Sequence, residues 1–285
     1  MSASRRRVAV DLRALVPAPS GIGVFTRAML LALARRGGFD YLGLAHRPPH
    51  HGDELRAAGI DVEHQAAPLG VLWQQLLLPR RLRRGDVDLL WSPITTLPVR
   101  SPVEGVATVH DLTALLLPET HRAKVRWSVL PFLRPTLERA RRVVASSEAT
   151  ARDLRFYFPQ CAERLRVVHL GVDPEFKPGR PEEIARTRAE FDAPAGFLFF
   201  AGTLEPRKGV DTLLDAWEAL RREDPLAPPL ILAGPYGWRS PQVLRRMARL
   251  EPLGVRYLGR VDRARLLQLF QAARLFVYPS IYEGF

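Results

Sequence analysis

Phe197-Leu-Phe-Phe-Ala-Gly-Thr-Leu-Glu-Pro-Arg-Lys-Gly209 is the stretch on which the fold turns. Phe197 to Ala201 is an unbroken apolar run, as expected of a strand buried on both faces of a parallel sheet. Gly202 to Gly209 then carries turn residues and two cations, Arg207 and Lys208, before a helical pattern starts at Val210. A strand, a polar loop and a helix in that order form the unit from which parallel α/β sheets are wound. Backbone N–H groups at the helix start, with Arg207 and Lys208 beside them, can hold a diphosphate-like anion.

The alternation continues outward in both directions. Downstream, Leu230 to Ala233, Val255 to Leu258 and Leu275 to Tyr278 read as strands, separated by helices near Val210 to Arg222, Pro241 to Leu250 and Arg263 to Ala273. Upstream, strands are predicted at Val8 to Leu12, Tyr41 to Ala45, Ile60 to Glu63, Val87 to Trp91, Val106 to Val109 and Val143 to Ser146. A loop with Pro17, Pro19, Ser20, Gly21 and Gly23 follows the first of these and leads into a helix from about Val24 to Arg36. Gly171 to Pro181 has Gly and Pro punctuation and no period, so it reads as a linker. The expected class is α/β, with two Rossmann-like doubly wound domains at 1–175 and 176–285, the second incomplete.

Composition narrows the partners. The formal net charge is +12, and arginine supplies all the basic residues except Lys124, Lys177 and Lys208. Residues 1–170 carry 25 basic and 15 acidic side chains, against 17 and 15 in the remainder. Such a field attracts phosphorylated ligands, anionic lipid or nucleic acid, and charge alone does not choose among them. One cysteine, Cys161, rules out an internal disulfide and suits a reducing compartment, so the cytoplasm is expected. Arg5 to Arg7 precede an apolar run too short for a signal sequence, and no stretch is long enough to span a bilayer. Trp73 to Leu78, followed by Arg80, Arg81, Arg83 and Arg84, reads either as an amphipathic membrane-facing segment or as an interior helix with a solvated basic end.

Candidate site residues cluster at predicted carboxyl ends of strands, where open α/β sheets bind ligands. His110-Asp111-Leu112 follows one strand, and Pro279-Ser280-Ile281-Tyr282-Glu283-Gly284-Phe285 follows another. His110 and Asp111, adjacent on extended chain, point apart and form no dyad; a strand-end histidine with Asp111 capping a turn is the simpler alternative. Asp86-Val87-Asp88 has the spelling of a metal-binding D-x-D but lies at the amino end of its strand, so no metal is expected there. Gly21-x-Gly23 fails as a dinucleotide fingerprint because Thr26 stands where a third glycine belongs.

Taken in order, these motifs resemble the retaining nucleotide-sugar glycosyltransferases of family 4. The last seven residues are similar to the first half of their PSxYEGFGLPxxEA signature, Ala201 to Gly209 to their phosphate loop, and "PAPSGIGVFTRAMLLAL" to their N-terminal glycine loop. The resemblance implies the GT-B fold, two Rossmann-like domains facing across a cleft. It also implies transfer of a hexose from a nucleotide sugar to a glycan or lipid-linked acceptor, without metal or other cofactor. GDP-mannose is the preferred donor, because "GTLEPRK" resembles the bacterial mannosyltransferase variant.

By the same resemblance His110 contacts the transferred sugar and Glu283 orients or supports it. Gly284 and Phe285 offer backbone N–H groups, while Gly21 and Gly23 approach the diphosphate that Arg207 and Lys208 neutralise. Thr203 occupies the place of the family's usual arginine, which Arg207 replaces. Gly259, Arg260 and Val261 line the nucleotide pocket, as does Gly234-Pro235. "SSEATARDL" and "VVHLGVD" are architectural landmarks. The family's second glutamate and closing helices are not in the sequence, so a fragment is expected. The alternatives are a UDP-sugar transferase and a non-catalytic basic module that binds membrane or nucleic acid; contact with anionic membrane at the inner face is expected to be peripheral, and no nucleic acid is expected.

Overall fold

A computed structural model describes residues 5–17, 20–121, 123–237 and 241–285. Pro19 of the predicted glycine loop lies outside them. The chain forms two compact units, residues 1–170 with Gly284 and Phe285, and Gly171–Glu283. The division falls five residues before the expected 175/176, because Asp173 and Glu175 are tied by Arg263 into the second unit.

Among the described residues, seven parallel strands build the first unit: β1 (Arg7–Asp11), β2 (Asp40–Ala45), β3 (Asp61–His64), β4 (Leu89–Ser92), β5 (Glu104–Val109), β6 (Arg142–Ala145) and β7 (Leu165–Val167). Their order is β3-β2-β1-β4-β5-β6-β7, so the winding reverses between β1 and β4. That switch point opens a crevice at the carboxyl edge. The helices are α1 (Gly21–Arg36), α2 (Gly52–Ala57), α3 (Gly70–Leu72), α4 (Leu78–Leu82), α5 (Thr113–Leu116), α6 (Ala123–Arg139) and α7 (Glu148–Tyr157). One face of the sheet is covered by Trp73, Leu78, Leu82, Leu133, Leu137 and Leu154, the other by Leu30, Leu55 and Ile60. Burial on both faces is why the strands read as apolar runs rather than alternating ones.

Between α3 and α4 the chain makes a π turn, Trp73–Leu77, in which Leu78 N donates to Trp73 O. Pro79 has no N–H to continue the regular ladder, and the wider turn takes up the interruption. Trp73, Leu78 and Leu82 are buried, so the interior-helix alternative describes the inner side of this segment.

Among its described residues the second unit has four strands, β8 (Leu198–Ala201), β9 (Leu230–Ala233), β10 (Val255–Tyr257) and β11 (Leu275–Phe276), in the parallel order β10-β9-β8-β11. Around them lie α8 (Pro181–Ala189), α9 (Val210–Glu223), α10 (Pro241–Leu250) and α11 (Arg263–Ala272). Strand residues alternate between faces, Phe200, Leu230 and Leu232 meeting Trp217, Met247 and Leu250, while Phe197, Phe199 and Ile231 meet Phe191 and Leu269. The predicted linker gives way to α8 at its end: Pro181 stands at the first helical position and Glu182 and Glu183 follow in the first turn, which favour a helix start.

Candidate active site

The carboxyl edge of the second sheet gathers the charged residues. β8 ends at Ala201, the chain passes Thr203, half-buried, and turns through Pro206–Lys208 into α9. Gly209 supplies the turn with φ +66°, and a Cβ there would lie 2.1 Å from Pro279 O. No side chain caps α9, so the N–H groups of its first turn lack a side-chain acceptor. β11 lies beside β8, Leu275 opposite Leu198, which brings the segment after β11 alongside this turn. Ile281 N donates to Arg207 O at 2.9 Å, and Ser280 Oγ lies 3.0 Å from the same oxygen.

Glu283 is held by three donors. Lys208 Nζ reaches its Oε1 at 2.6 Å, Arg207 Nη1 its Oε2 at 2.8 Å, and Ser280 Oγ bonds Oε1. Arg207 also donates to Glu205 at 3.1 Å and to Tyr282 O at 2.9 Å. Lys208 is only 8% exposed, and its ammonium lies 5.0 Å from the Tyr278 ring centroid. Burial pushes the Glu283 carboxyl up, but the bonds from Lys208 and Ser280 and the charges of Lys208 and Arg207 outweigh it, leaving the pKa below the usual value. The carboxylate is therefore ionised at neutral pH.

Of the predicted nucleotide-pocket residues, Gly259 O accepts from Gly234 N at 2.7 Å, and Tyr257 donates to Gly234 O at 2.7 Å. This ties the ends of β9 and β10 together. Arg260 is exposed and Val261 packs partly against the Phe197 side of the core.

In the first unit, Gly21 and Gly23 are not in a loop. They occupy the first turn of α1, three residues ahead of the predicted start, because Ser20 accepts from Gly23 N and caps the helix there. As sequence the two glycines read as turn residues; the Ser20 cap is what draws them into the helix. On the same unit His110 Nε2 donates to Pro93 O at 3.0 Å, which leaves Nδ1 with the lone pair. The Phe25 ring meets the imidazole edge-on at 4.8 Å. Burial lowers the His110 pKa against the smaller raising effects of the Pro93 carbonyl and Asp111, so the ring is neutral at pH 7. Asp111 turns away to accept from Thr113 N at 2.9 Å, the turn-capping alternative. Gly284 fits against His110: a Cβ would lie 1.8 Å from His110 O, and Thr150 Oγ1 donates to Gly284 O at 3.0 Å. Phe285 is exposed.

One group escaped prediction. Asp11, fully buried at the end of β1, pairs with Arg13 at 2.7 Å and accepts from Gln74 at 3.4 Å, and Gln74 and Thr96 bond each other. A carboxylate closing an apolar strand, two residues before an arginine, was the available signal. Asp86 and Asp88 are engaged by Arg81 and Arg7, as befits their place at the amino edge.

The sequence profile of Glycosyltransferase Family 4 matches residues 19–176, and that of the group 1 glycosyl transferases matches 195–285. The chain belongs to glycosyltransferase family 4, and its paired α/β units have the GT-B fold. It is 33% identical over 225 residues to the O-antigen chain mannosyltransferase B of Escherichia coli, covering 76% of this chain and 58% of that protein. The D-inositol 3-phosphate glycosyltransferase of Corynebacterium glutamicum (strain R) is 31% identical over 153 residues, 50% of this chain and 36% of the relative. HepE of Anabaena, crystallised with UDP, superposes with a TM-score of 0.71 at 21% identity, covering 97% of this chain and 74% of that one. No helix among the described residues is long and apolar enough to cross a membrane.

Proposed function

We propose that this chain carries the machinery of a retaining glycosyltransferase that moves mannose from GDP-mannose to a glycan or lipid-linked acceptor without a metal ion. The observation that carries the proposal is the convergence of Arg207, Lys208 and Glu283 beside the uncapped start of α9. Two cations and a row of N–H groups suit a diphosphate whose charge grows as it leaves. The similarity to an O-antigen mannosyltransferase supports the choice of sugar.

In this reading the bond from the sugar C1 to the diphosphate oxygen breaks, and the acceptor oxygen attacks the same face. The departing phosphate takes the acceptor's hydroxyl proton. Lys208 and Arg207 neutralise that phosphate, and the ionised Glu283 supports the oxocarbenium-like sugar. His110 accepts a sugar hydroxyl through Nδ1. The α1 N-terminus and the Gly284 and Phe285 N–H groups serve the donor, and Gly259, Arg260 and Val261 frame the base.

Transfer from GDP-mannose, UDP-glucose and UDP-N-acetylglucosamine tests this. The proposal expects GDP-mannose to be used, chelation with EDTA to leave the rate unchanged, and Lys208→Ala to abolish most of it. Preference for a UDP sugar would replace the donor; near-normal turnover in Lys208→Ala would sink the mechanism.

A further inference from the structure

Glu283 cannot be in two places. In the reading above it supports the sugar, yet its carboxylate lies on the two cations assigned to the diphosphate. Lys208 Nζ is 2.6 Å from one oxygen and Arg207 Nη1 is 2.8 Å from the other, so the carboxylate bridges the two cations with an oxygen on each. Among the described residues no other carboxylate bonds the Lys208 ammonium, whose side chain is 10% exposed. Pairing relieves the cost of burying these charges, which is why a bare pair of cations does not stand there.

The contact is held from one side and open on the other. Arg207 keeps two further partners, Glu205 at 3.1 Å and Tyr282 O at 2.9 Å, and Lys208 keeps the Tyr278 ring at 5.0 Å. Both cations therefore have reason to stay in position if Glu283 leaves them. The Ile281 N–H bond to Arg207 O fastens the backbone just before Glu283, whereas the Glu283 side chain is 28% exposed and has room to turn. A diphosphate brings more charge and more oxygens than one carboxylate, and it also meets the uncapped first turn of α9. It can take the cations from Glu283. A neutral sugar cannot.

We propose that Glu283 is a place-holding anion, which occupies Arg207 and Lys208 until a diphosphate displaces it and only then turns to the sugar. On the donor reading, which this proposal assumes, the carboxylate becomes available only when the leaving group is already neutralised. Sugar and diphosphate are thereby coupled through one side chain. The competing possibility is a fixed structural ion pair that the diphosphate joins without breaking.

Calorimetric titration of the chain with inorganic pyrophosphate, and with GDP beside it, separates the two. Glu283→Gln keeps the shape and removes the competing charge, so pyrophosphate should bind about fivefold or more tighter than to the unaltered chain. Asp215→Asn, which takes a carboxylate from Arg246 farther along α9, should leave binding within about twofold. Lys208→Ala should weaken both ligands about tenfold or more. A crystal structure of the unaltered chain with pyrophosphate supplies a readout that a general change of charge would not move. Lys208 Nζ should sit on a phosphate oxygen, with Glu283 moved from 2.6 Å to beyond about 4 Å. Pyrophosphate bound with the Lys208–Glu283 pair intact, or no tighter to Glu283→Gln, overturns the place-holder and leaves the donor reading standing. Binding of neither ligand, or equal binding to Lys208→Ala, overturns both.

Discussion

Two ion clusters, one in each unit, pair cations with carboxylates but stand at opposite edges of their sheets. At the amino edge of the first sheet, Arg81 is 3% exposed on its side chain and bonds Glu63 and Asp86 at 2.7 Å each, while Arg7 pairs with Asp61 and with Asp86 at 3.2 Å. At the carboxyl edge of the second sheet, Arg207 and Lys208 pair with Glu283 and Glu205. The first cluster closes the last turn of α4, where a cation also meets the negative end of the helix dipole. The second opens on the first turn of α9, where the dipole favours an arriving anion. The lesson is that ion pairing by itself does not mark a site; its place relative to the sheet edge and the nearest helix end does.

The sharpest way to break this contrast is to remove one cation from each cluster. Under the proposed function, Lys208→Ala should lower kcat/KM by about 10²–10³-fold while the urea midpoint moves little, since the departing diphosphate would lose its counter-charge. Arg81→Met should do the reverse, costing about 2–3 kcal/mol in urea unfolding because two carboxylates lose their partner, with turnover of the folded protein kept. If Arg81→Met cuts turnover as deeply as Lys208→Ala, the contrast is gone. Gly209→Ala should cost about 1–3 kcal/mol and slow turnover too, since a Cβ would strike Pro279 O in a left-handed turn.

Two pH experiments sharpen it further. Glu283 has a depressed pKa in the folded chain, so its stabilising effect is complete above the ordinary 4.5 and is lost as pH falls through the lower folded value. Glu283→Gln should therefore flatten the acid limb of the unfolding midpoint against pH; a limb of unchanged steepness would argue that the carboxylate is not held as described. The smallest effect belongs to His110, whose folded pKa also lies below its ordinary 6.5. The neutral ring is favoured in the folded state, so this contribution is present above pH 6.5 and fades as the pH drops. NMR titration should place the midpoint below 6.5; one above it would show that burial does not dominate.

Much of this was written in the sequence, and what was not has local causes. Leu230–Ala233 and Pro241–Leu250 match their predicted bounds, because long apolar or periodic runs on a sheet covered on both faces leave little choice. β7 was missed: it is three residues at the sheet edge with Arg166 in the middle, too short and too polar for a strand signal. α8 begins at the last residue of the predicted linker and was not read as a helix, because its polar sequence buries only Thr187. Arg207, Lys208 and Glu283 were each legible as candidates. Their pairing across 75 residues was not, because it depends on β11 crossing to lie beside β8, which local sequence does not encode. The Asp11 network was passed over for the same reason, since Gln74 reaches it from 63 residues away.

The π turn at Trp73–Leu77 bears on how this segment tolerates changes in length. A π turn is a regular helix that has accommodated one more residue, so the flanks already sit where a four-residue turn would put them. Deleting a single residue there, together with Pro79→Ala, would restore an uninterrupted ladder without moving Arg81 or Leu82 from their inward stations. The same deletion one turn later would rotate those two side chains by about 100° and send Arg81 into solvent. Along this helix, then, the outcome of losing one codon depends on which side of Leu77 it falls.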